Sequence, residues 1–199
     1  MINWNNPIRL EGEKVSLIPL EMIHKEDLVS AAKDGNLWEL WYTSVPSANT
    51  VDQYITTALD QLDNKSSIPF AVLDKASNKI IGSTRYCNID TAHRRLEIGY
   101  TWYAKSYQRT GVNTECKYLL LENAFENLGT IAVEFRTHWS NHRSRNAIMR
   151  LGAKQDGVLR NHRIDKEGNL RDTVVFSIIQ SEWNTIKKSL EFEMQRHKM

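Results

Sequence analysis

A short loop around one glycine contains the residue types in this chain that are best suited to chemistry. Residues Gln108 to Asn113 read Gln-Arg-Thr-Gly-Val-Asn, and they join an alternating strand pattern to a helical pattern. A glycine lets the backbone approach a ligand closely, and the first turn of a helix offers unpaired N–H donors. Together these features favour an anion such as a diphosphate. A simple strand–helix turn with a convenient glycine is the alternative interpretation of this segment on its own.

Two related nucleotide-binding motifs fit the loop less well. A Walker loop requires Gly-Lys-Ser/Thr after four spacer residues, whereas Val112 and Asn113 follow the glycine here. A dinucleotide-binding fingerprint requires two further glycines, which this segment lacks. The pattern therefore indicates neither of these two classes.

The elements that must position the loop follow an α+β order, and no repeat or linker interrupts them. Apolar patterns predict strands at about Lys14–Leu20, Ile68–Leu73, Ile80–Asn88, Leu96–Tyr103, Ile131–Trp139, Gln155–Ile164 and Asp172–Ile179. Apolar residues at helical spacing predict helices at about His24–Lys33, Val51–Asn64, Val112–Asn127 and Asn141–Leu151. We expect a single domain over residues 1–183, followed by a charged, helical tail over residues 184–199.

The bulk composition indicates an ordinary globular protein. The 199 residues are 41% hydrophobic, which is enough for a core, and the net charge of +2 is too small to favour nucleic acid. Cys87 and Cys116 form neither a disulfide framework nor a metal cluster, and the histidines lack metal spacing, so we expect no metal and surface histidines. Residues 1–10 lack a signal-peptide pattern, and no apolar run is long enough to span a bilayer. The expected location is cytoplasmic.

The order of several short motifs resembles that of the GNAT acetyltransferases and, in detail, their RimJ/RimL-like branch. The glycine loop is similar to the family signature Gln/Arg-x-x-Gly-x-Gly/Ala, which holds the pyrophosphate of acetyl-coenzyme A. The other similar segments are Pro69-Phe70-Ala71-Val72, Ile81-Gly82-Ser83, Glu97-Ile98-Gly99-Tyr100, Asn141-x-x-Ser144, Leu151-Gly152-Ala153, Gly157-Val158-Leu159-Arg160 and Arg171-Asp172. The resemblance implies the GNAT fold, an α+β fold with a central mixed, mostly antiparallel twisted sheet of about seven strands. Helices would cover both faces, and the fourth and fifth strands, Leu96–Tyr103 and Ile131–Trp139, would be splayed.

The resemblance also implies acetyl-coenzyme A as cosubstrate, with a defined set of binding residues. The backbone of Thr101, Trp102 and Tyr103 would pair with pantetheine as a neighbouring strand does, while the two aromatic side chains lie in the core. The diphosphate would lie on Gln108, Arg109, Thr110, Gly111, Val112 and Asn113. Thr114 and Glu115 would support the helix start, since a glutamate pointing at the diphosphate would repel it. Asn141 would contact pantetheine and also cap its helix, and Ser144 would lie near the thioester sulfur.

Two residues are implied as catalytic, Glu97 and Ser144. Strand alternation puts Glu97 on one face with Gly99, Thr101 and Tyr103, and its carboxylate could take the proton of an amine. An ordinary ion pair with Arg94 or Arg95 is the alternative for Glu97, and a surface hydroxyl is the alternative for Ser144. The tyrosine that many GNAT enzymes use as general acid is replaced by Ile148. The identity of the acid therefore stays open.

The implied reaction is direct acetyl transfer to a primary amine, either a protein N-terminus or a small molecule. The acceptor would lie against the segment Leu37–Pro46, with Trp38, Trp41 and Tyr42 as substrate-binding residues, although a flap that only covers the sheet is the alternative. Two other functions stay open. The chain could bind coenzyme A without catalysis, or it could dock on ribosomal RNA or proteins through Arg143, Arg145, Arg150, Arg160 and Arg163. The acceptor and a homodimer are not determined by the sequence.

Overall fold

The computed structural model describes residue 4, residues 7–165 and residues 167–196. Within these residues one sheet has the strand order β1-β2-β3-β4-β5-β6-β8-β7. The strands are β1 (Leu10–Glu11), β2 (Val15–Pro19), β3 (Ser67–Asp74), β4 (Lys79–Asp90), β5 (Arg95–Tyr103), β6 (Ala132–His138), β7 (Lys154–Ile164) and β8 (Leu170–Ile179). The helices are α1 (Lys25–Lys33), α2 (Val51–Asp63), α3 (Val112–Glu122), α4 (His142–Arg150) and α5 (Trp183–Arg196).

The predicted α+β order is confirmed, with one more strand than the seven expected. The additional strand is the two-residue β1, which forms one edge of the sheet and pairs with β2. The helix predicted over residues 112–127 is α-helical only to Glu122, and Asn123–Asn127 continues it as a π-helical segment.

The two strands expected to splay do separate. β5 and β6 are the only parallel pair among the described strands, and they pair through Arg95–Glu97 and Ala132–Glu134 alone. Beyond Glu97, β5 continues along β4 to Tyr103, while β6 continues along β8 to His138. The edge of β5 that faces β6 therefore has no strand partner from residue 98 onward, and a cleft opens in the sheet.

A β-bulge in β5 changes which side chains share a face. The β4–β5 register shifts between Ser83 and Arg85, and Tyr100 has a φ of 52°. Such an extra residue reverses the alternation of the strand. The prediction that Glu97 shares its face with Thr101 and Tyr103 is therefore wrong, and only Gly99 stays on the face of Glu97.

The helices cover the two faces of the sheet unequally. Side chains of α3, α4 and α5 form one apolar cluster with the sheet, including Cys116, Ile148 and Ile186. Side chains of α1 and α2, including Leu28 and Ile55, form a second cluster on the opposite face that contains no residue of β6, β7 or β8. The described helices α1 and α2 therefore form no apolar cluster with β6, β7 or β8 on that face.

The segment expected to be a charged tail is a helix that belongs to the core. Trp183, Ile186 and Leu190 are buried, and Trp183 stacks on Phe125 with ring centroids 5.3 Å apart. Residues 197–199 of that expected tail, like residues 1–3, 5 and 6 of the expected domain, lie outside the described residues. None of the described helices has the length and apolar composition required to cross a membrane.

Candidate active site

The glycine loop presents a row of unused backbone donors. Gly111 is the N-cap of α3 with a φ of 92°, and Arg109 also has a positive φ of 66°. Within the described part of the chain, the backbone N–H groups of residues 109–114 donate no hydrogen bond, and the first used donor is the N–H of Glu115. Residues with positive φ turn successive N–H groups toward the same side, and the helix end adds positive potential. The loop can therefore bind an anion.

Gln108 supports the loop rather than adding a free amide to it. Its N–H donates to the carbonyl oxygen of Lys105, and its side-chain nitrogen donates to the carbonyl oxygen of Tyr103 at 2.9 Å. Its side-chain oxygen accepts from Arg143 of α4 at 2.6 Å. Gln108 thus connects the end of β5, the loop and the start of α4.

Glu115 points away from the loop, as a diphosphate site requires. Its carboxylate accepts from the backbone N–H groups of Glu13 and of Lys14, the latter at 3.1 Å. These donors lie in the turn between β1 and β2. The negative charge is therefore used to hold that turn on α3.

The unpaired edge of β5 has a buried lysine beneath it. The ammonium nitrogen of Lys117, on α3, donates to Thr101 Oγ1 at 2.5 Å, and that hydroxyl lies 2.7 Å from Thr84 Oγ1. Lys117 is 4% exposed, and burial lowers its pKa to about 7. Sequence reasoning missed this residue because a lysine at one helical position gives no sign of its burial.

The start of α4 lies beside the same cleft. Asn141 Oδ1 accepts from the backbone N–H of Ser144 at 3.1 Å, so its expected role as N-cap is confirmed. Ser144 is partly buried, and its hydroxyl makes no hydrogen bond with another described residue. Ile148 is buried in the core, and its side chain offers no proton.

Glu97 lies at the point where β5 and β6 diverge, on the face away from α3 and α4. Its carboxylate accepts from Asn88 Nδ2 at 2.7 Å and lies 3.6 Å from Nε of Arg136. Burial raises the pKa of this carboxyl above its ordinary value, although Asn88 and Arg136 act in the opposite direction. The expected alternative of a pair with Arg95 is wrong, because Arg95 binds Glu134 of β6 instead.

The same face of β6 forms a polar cleft that leads away from Glu97. The side chains of Glu134, Arg136 and His138 follow one another along this face of β6. A cavity of about 650 Å³ lies at the end of the cleft that contains Glu97. At the other end of the cleft, the exposed ring of Trp41 packs edge-on against the ring of His138, with ring centroids 4.9 Å apart. The loop before α2 therefore reaches across to β6.

The three expected acceptor residues have different surroundings. Trp41 is 65% exposed and also contacts Tyr42 edge-on, so these two rings border the cleft. Trp38 is partly buried and packs against the cluster of α1 and α2. Trp38 thus fits the alternative interpretation, a side chain that covers the sheet.

His138 corrects the expectation that the histidines lie at the surface. It is 8% exposed, and its Nδ1 accepts from the N–H of Ser140 at 2.9 Å. Burial and the charge of Arg171 lower its pKa, which leaves the ring neutral with its proton on Nε2. No group of three or more His, Cys, Asp or Glu side chains in the described ranges could hold a metal ion.

Comparisons with known proteins agree with this geometry. Among curated proteins, the chain is similar to "Putative ribosomal N-acetyltransferase YdaF" of Bacillus subtilis (strain 168), with 32% identity over 96 residues. That match spans 48% of this chain and 51% of the relative, so the chain covers about half the length of that protein.

Solved structures show the same architecture over nearly the whole chain. A GCN5-related N-acetyltransferase from Brucella melitensis is 29% identical, with a TM-score of 0.86 over 95% of this chain and 86% of that chain. Mycobacterium smegmatis RimJ, solved in complex with CoA-disulfide, is 19% identical and shares the fold, with a TM-score of 0.76 over 94% of this chain and 93% of that chain. The family model for the acetyltransferase (GNAT) domain matches residues 14–154, well over half of the sequence, and this chain therefore belongs to the GNAT acetyltransferase family.

Proposed function

We propose that this protein transfers the acetyl group of acetyl-coenzyme A directly to a primary amine, on a protein N-terminus or a small molecule. The observation that carries the proposal is the row of free N–H groups over residues 109–114, next to the unpaired edge of β5. A diphosphate fits the first feature and the amides of pantetheine fit the second. Binding of coenzyme A by RimJ, and the name of YdaF, support the same assignment.

The cosubstrate and the acceptor would meet through the gap between β5 and β6. Thr101, Trp102 and Tyr103 would contribute backbone groups to pantetheine, and Asn141 and Ser144 lie on the same side of the sheet as α3. Glu97 faces the opposite side, on which the polar cleft lies. This division allows the amine and the thioester to approach the gap from opposite faces.

In the proposed transfer, the side chains of Glu97 and Ser144 accept and donate the protons. The neutral amine attacks the thioester carbonyl carbon, the C–S bond of the tetrahedral intermediate breaks, and Glu97 accepts the proton that the nitrogen loses. The Ser144 hydroxyl gives a proton to the departing thiolate and regains one from solvent, and Glu97 releases its proton to solvent, so both side chains return to their starting states. Backbone N–H groups of β5 stabilise the oxyanion, and loss of such a donor typically costs about 10²–10³ in rate.

The choice of acceptor follows from amine pKa values. An α-amine with a pKa near 7.7 is roughly one-sixth neutral at pH 7, whereas a lysine with a pKa near 10.4 is roughly 0.04% neutral. Low-pKa amines are therefore the easier acceptors. Of the arginines considered for an RNA-docking surface, Arg160 already pairs with Asp172.

Mass spectrometry tests the proposal directly. The protein is incubated with acetyl-coenzyme A and a panel of N-terminal peptides, polyamines and amino sugars, and each product is examined for a gain of one acetyl group. Acetylation of at least one α-amine or small amine, with free lysine side chains slower at neutral pH, supports the proposal. Binding of acetyl-coenzyme A by calorimetry without transfer to any amine would favour the non-catalytic alternative that Ile148 leaves open.

A further inference from the structure

Two arginines lie directly opposite each other on the hairpin of β7 and β8. Arg163 is the cross-strand partner of Arg171 in the register of this hairpin. Neither guanidinium makes an ion pair or a hydrogen bond with another described residue, and Nε of Arg171 is buried without a partner. Like charges directly opposite each other destabilise a sheet. No described carboxylate lies within ion-pair distance of either guanidinium, so the two groups are available to an anion that binds from outside.

Both arginines lie on the face that carries the polar cleft. Thr173 of β8 is paired with His138 of β6, and Arg171 lies two residues before Thr173 on the same face. Their charges act on groups in the cleft. The pKa of His138 is lowered mainly by burial and also by the charge of Arg171, and the pKa of His162 is lowered mainly by burial and also by the charge of Arg163. His162 in turn lies 3.0 Å from the Thr173 hydroxyl.

The acidic groups near the pair are already engaged elsewhere. Asp165 accepts from the N–H groups of Glu167 and Asn169 in the hairpin turn, and from the side chain of Asn169. Asp172 pairs with Arg160, and Glu134 with Arg136 and Arg95. Asp165 attracts Arg171, and Glu97 attracts Arg163, only at longer range. No described carboxylate lies within ion-pair distance of Arg163 or Arg171.

We infer that Arg163 and Arg171 bind a carboxylate carried by the acceptor close to its reactive amine. This inference rests on the proposed acetyl transfer and narrows its acceptor class. An amine entering the cleft would place its nitrogen toward Glu97, while an acidic group on the same molecule meets the two guanidinium groups. Peptides with an acidic second residue have this arrangement, and two charged donors suit a carboxylate with two oxygens.

Steady-state kinetics with matched peptides tests the inference. The probes are Ala-Asp-Ala-Ala, Ala-Asn-Ala-Ala and Ala-Lys-Ala-Ala, each with an amidated C-terminus, and a fourth Ala-Asn peptide with a free C-terminal carboxylate separates a nearby acid from a distant one. We expect kcat/KM to be about 10-fold higher or more for the Asp peptide than for the Asn peptide, because charge-assisted hydrogen bonds are the stronger ones. The Lys peptide is expected to be slowest.

Substitutions identify the residues responsible. Arg163→Gln and Arg171→Gln, singly and together, are expected to reduce the ratio of kcat/KM for the Asp peptide to that for the Asn peptide to about 1. Arg160→Gln makes the same charge change on the same strand, at a side chain already paired with Asp172, and is expected to keep the preference. A preference that survives in the double variant, or an active wild type that does not distinguish Asp from Asn, would overturn the inference.

Direct binding separates this inference from the proposed function. Calorimetric titration of the same peptides, in the presence of coenzyme A, requires no turnover. Tighter binding of the Asp peptide that depends on Arg163 and Arg171 supports the carboxylate site even if no acetyl transfer occurs, and only the proposed function then fails. Equal binding of the Asp and Asn peptides contradicts the carboxylate site whatever the activity.

Discussion

The carboxyl group of Glu97 is held between opposing influences, and their balance determines what it can do. Burial favours its protonated form, whereas the hydrogen bond from Asn88 and the charge of Arg136 favour the carboxylate. Gly99, two residues further along the same face of β5, leaves room for this carboxylate, because a Cβ at Gly99 would lie 3.0 Å from Glu97 Oε1. A carboxylate in such surroundings is suited to accept a proton near neutral pH.

Replacing Glu97 should change the pH dependence of the reaction. A base acts only when deprotonated, so the rate should rise as pH rises through its pKa, with a midpoint above the ordinary 4.5 because burial raises that pKa. Glu97→Gln is expected to lower kcat about 100-fold and to remove the limb that belongs to this carboxyl, so that only the limb from deprotonation of the acceptor amine, near its own pKa, remains. Asn88→Ala removes a hydrogen bond to the charged form and should move the limb to higher pH. Rate–pH profiles measure both, and an unchanged limb in Glu97→Gln would exclude this base.

Gly111 allows a second measurement at the residue scale. Its φ of 92° is unfavourable for any side chain, and it lies in the middle of the free N–H groups. Gly111→Ala is expected to raise the dissociation constant of acetyl-coenzyme A about 10-fold, because the strain of about 1–2 kcal/mol is relieved by moving those groups.

A matched glycine controls for the strain itself. Gly129 also has a positive φ, 63°, and a Cβ there would meet nothing within 4 Å. Gly129→Ala should cost similar stability in thermal denaturation yet leave the affinity for acetyl-coenzyme A unchanged in calorimetry. Equal loss of affinity in both variants would argue against a diphosphate site at the loop.

At the scale of elements, α3 combines two tasks on different sides of one helix. Its first turn is free to bind an anion, while its inner side places Lys117 against Thr101 under the cleft. A buried ammonium is costly, and among the described residues its one hydrogen-bond acceptor is the neutral hydroxyl of Thr101. Burial of Lys117 therefore lowers the stability of the folded protein at the point where α3 packs beneath the edge of β5.

Stability as a function of pH should reveal this cost. Because the pKa of Lys117 is about 7 in the folded protein and 10.5 ordinarily, the unfolded chain binds more protons between these values, and stability should rise with pH there. Lys117→Met is expected to stabilise the protein at pH 7, by on the order of 3 kcal/mol, and to flatten this rise. Urea denaturation at pH 7 and pH 9.5 measures it.

An exposed lysine supplies the comparison for that experiment. Lys188 lies on the outer side of α5, and Lys188→Met should keep the wild-type difference between the two pH values. If Lys117→Met kept that difference as well, Lys117 would not be titrating between the two pH values.

At the scale of the whole molecule, the cleft is assembled from parts that are distant in the chain. Trp41 comes from the loop before α2, His138 from β6, and Arg171 from β8. The apolar cluster of α1 and α2 ends before β6, and the ring of Trp41 spans the remaining distance to His138. This arrangement leaves one face of β6 open to an acceptor while α3, α4 and α5 cover the other.

Removing the Trp41 ring should affect the acceptor alone. Trp41→Ala is expected to raise the KM for the amine about 10-fold, since an aromatic contact that the bound acceptor covers contributes about 0.5–1.5 kcal/mol, and to leave the KM for acetyl-coenzyme A unchanged. Phe192→Ala removes another exposed ring, on α5, and should change neither constant. Steady-state kinetics with each substrate varied in turn decides this, and a parallel rise in both constants would contradict a role limited to the acceptor.

The features that the sequence determined by itself are local ones. A glycine between a strand pattern and a helix pattern is sufficient to predict Gly111 as the start of α3, because both the positive φ and the free N–H groups arise within a few residues. Asn141 as an N-cap is equally local, since its acceptor atom reaches the N–H of Ser144 in the same turn. The order of strands and helices follows from apolar periodicity, which also depends only on near neighbours.

The tertiary structure alone decided which side chains meet. The bulge at Tyr100 depends on the pairing of β5 with β4, and it moved Thr101 and Tyr103 away from the face predicted for them. Three contacts show this: Lys117 with Thr101, Trp41 with His138, and Arg163 opposite Arg171. They join residues that are 16, 97 and 8 positions apart and that lie in separate elements. Pairing register and burial are properties of the folded sheet, and no pattern within a single segment specifies them.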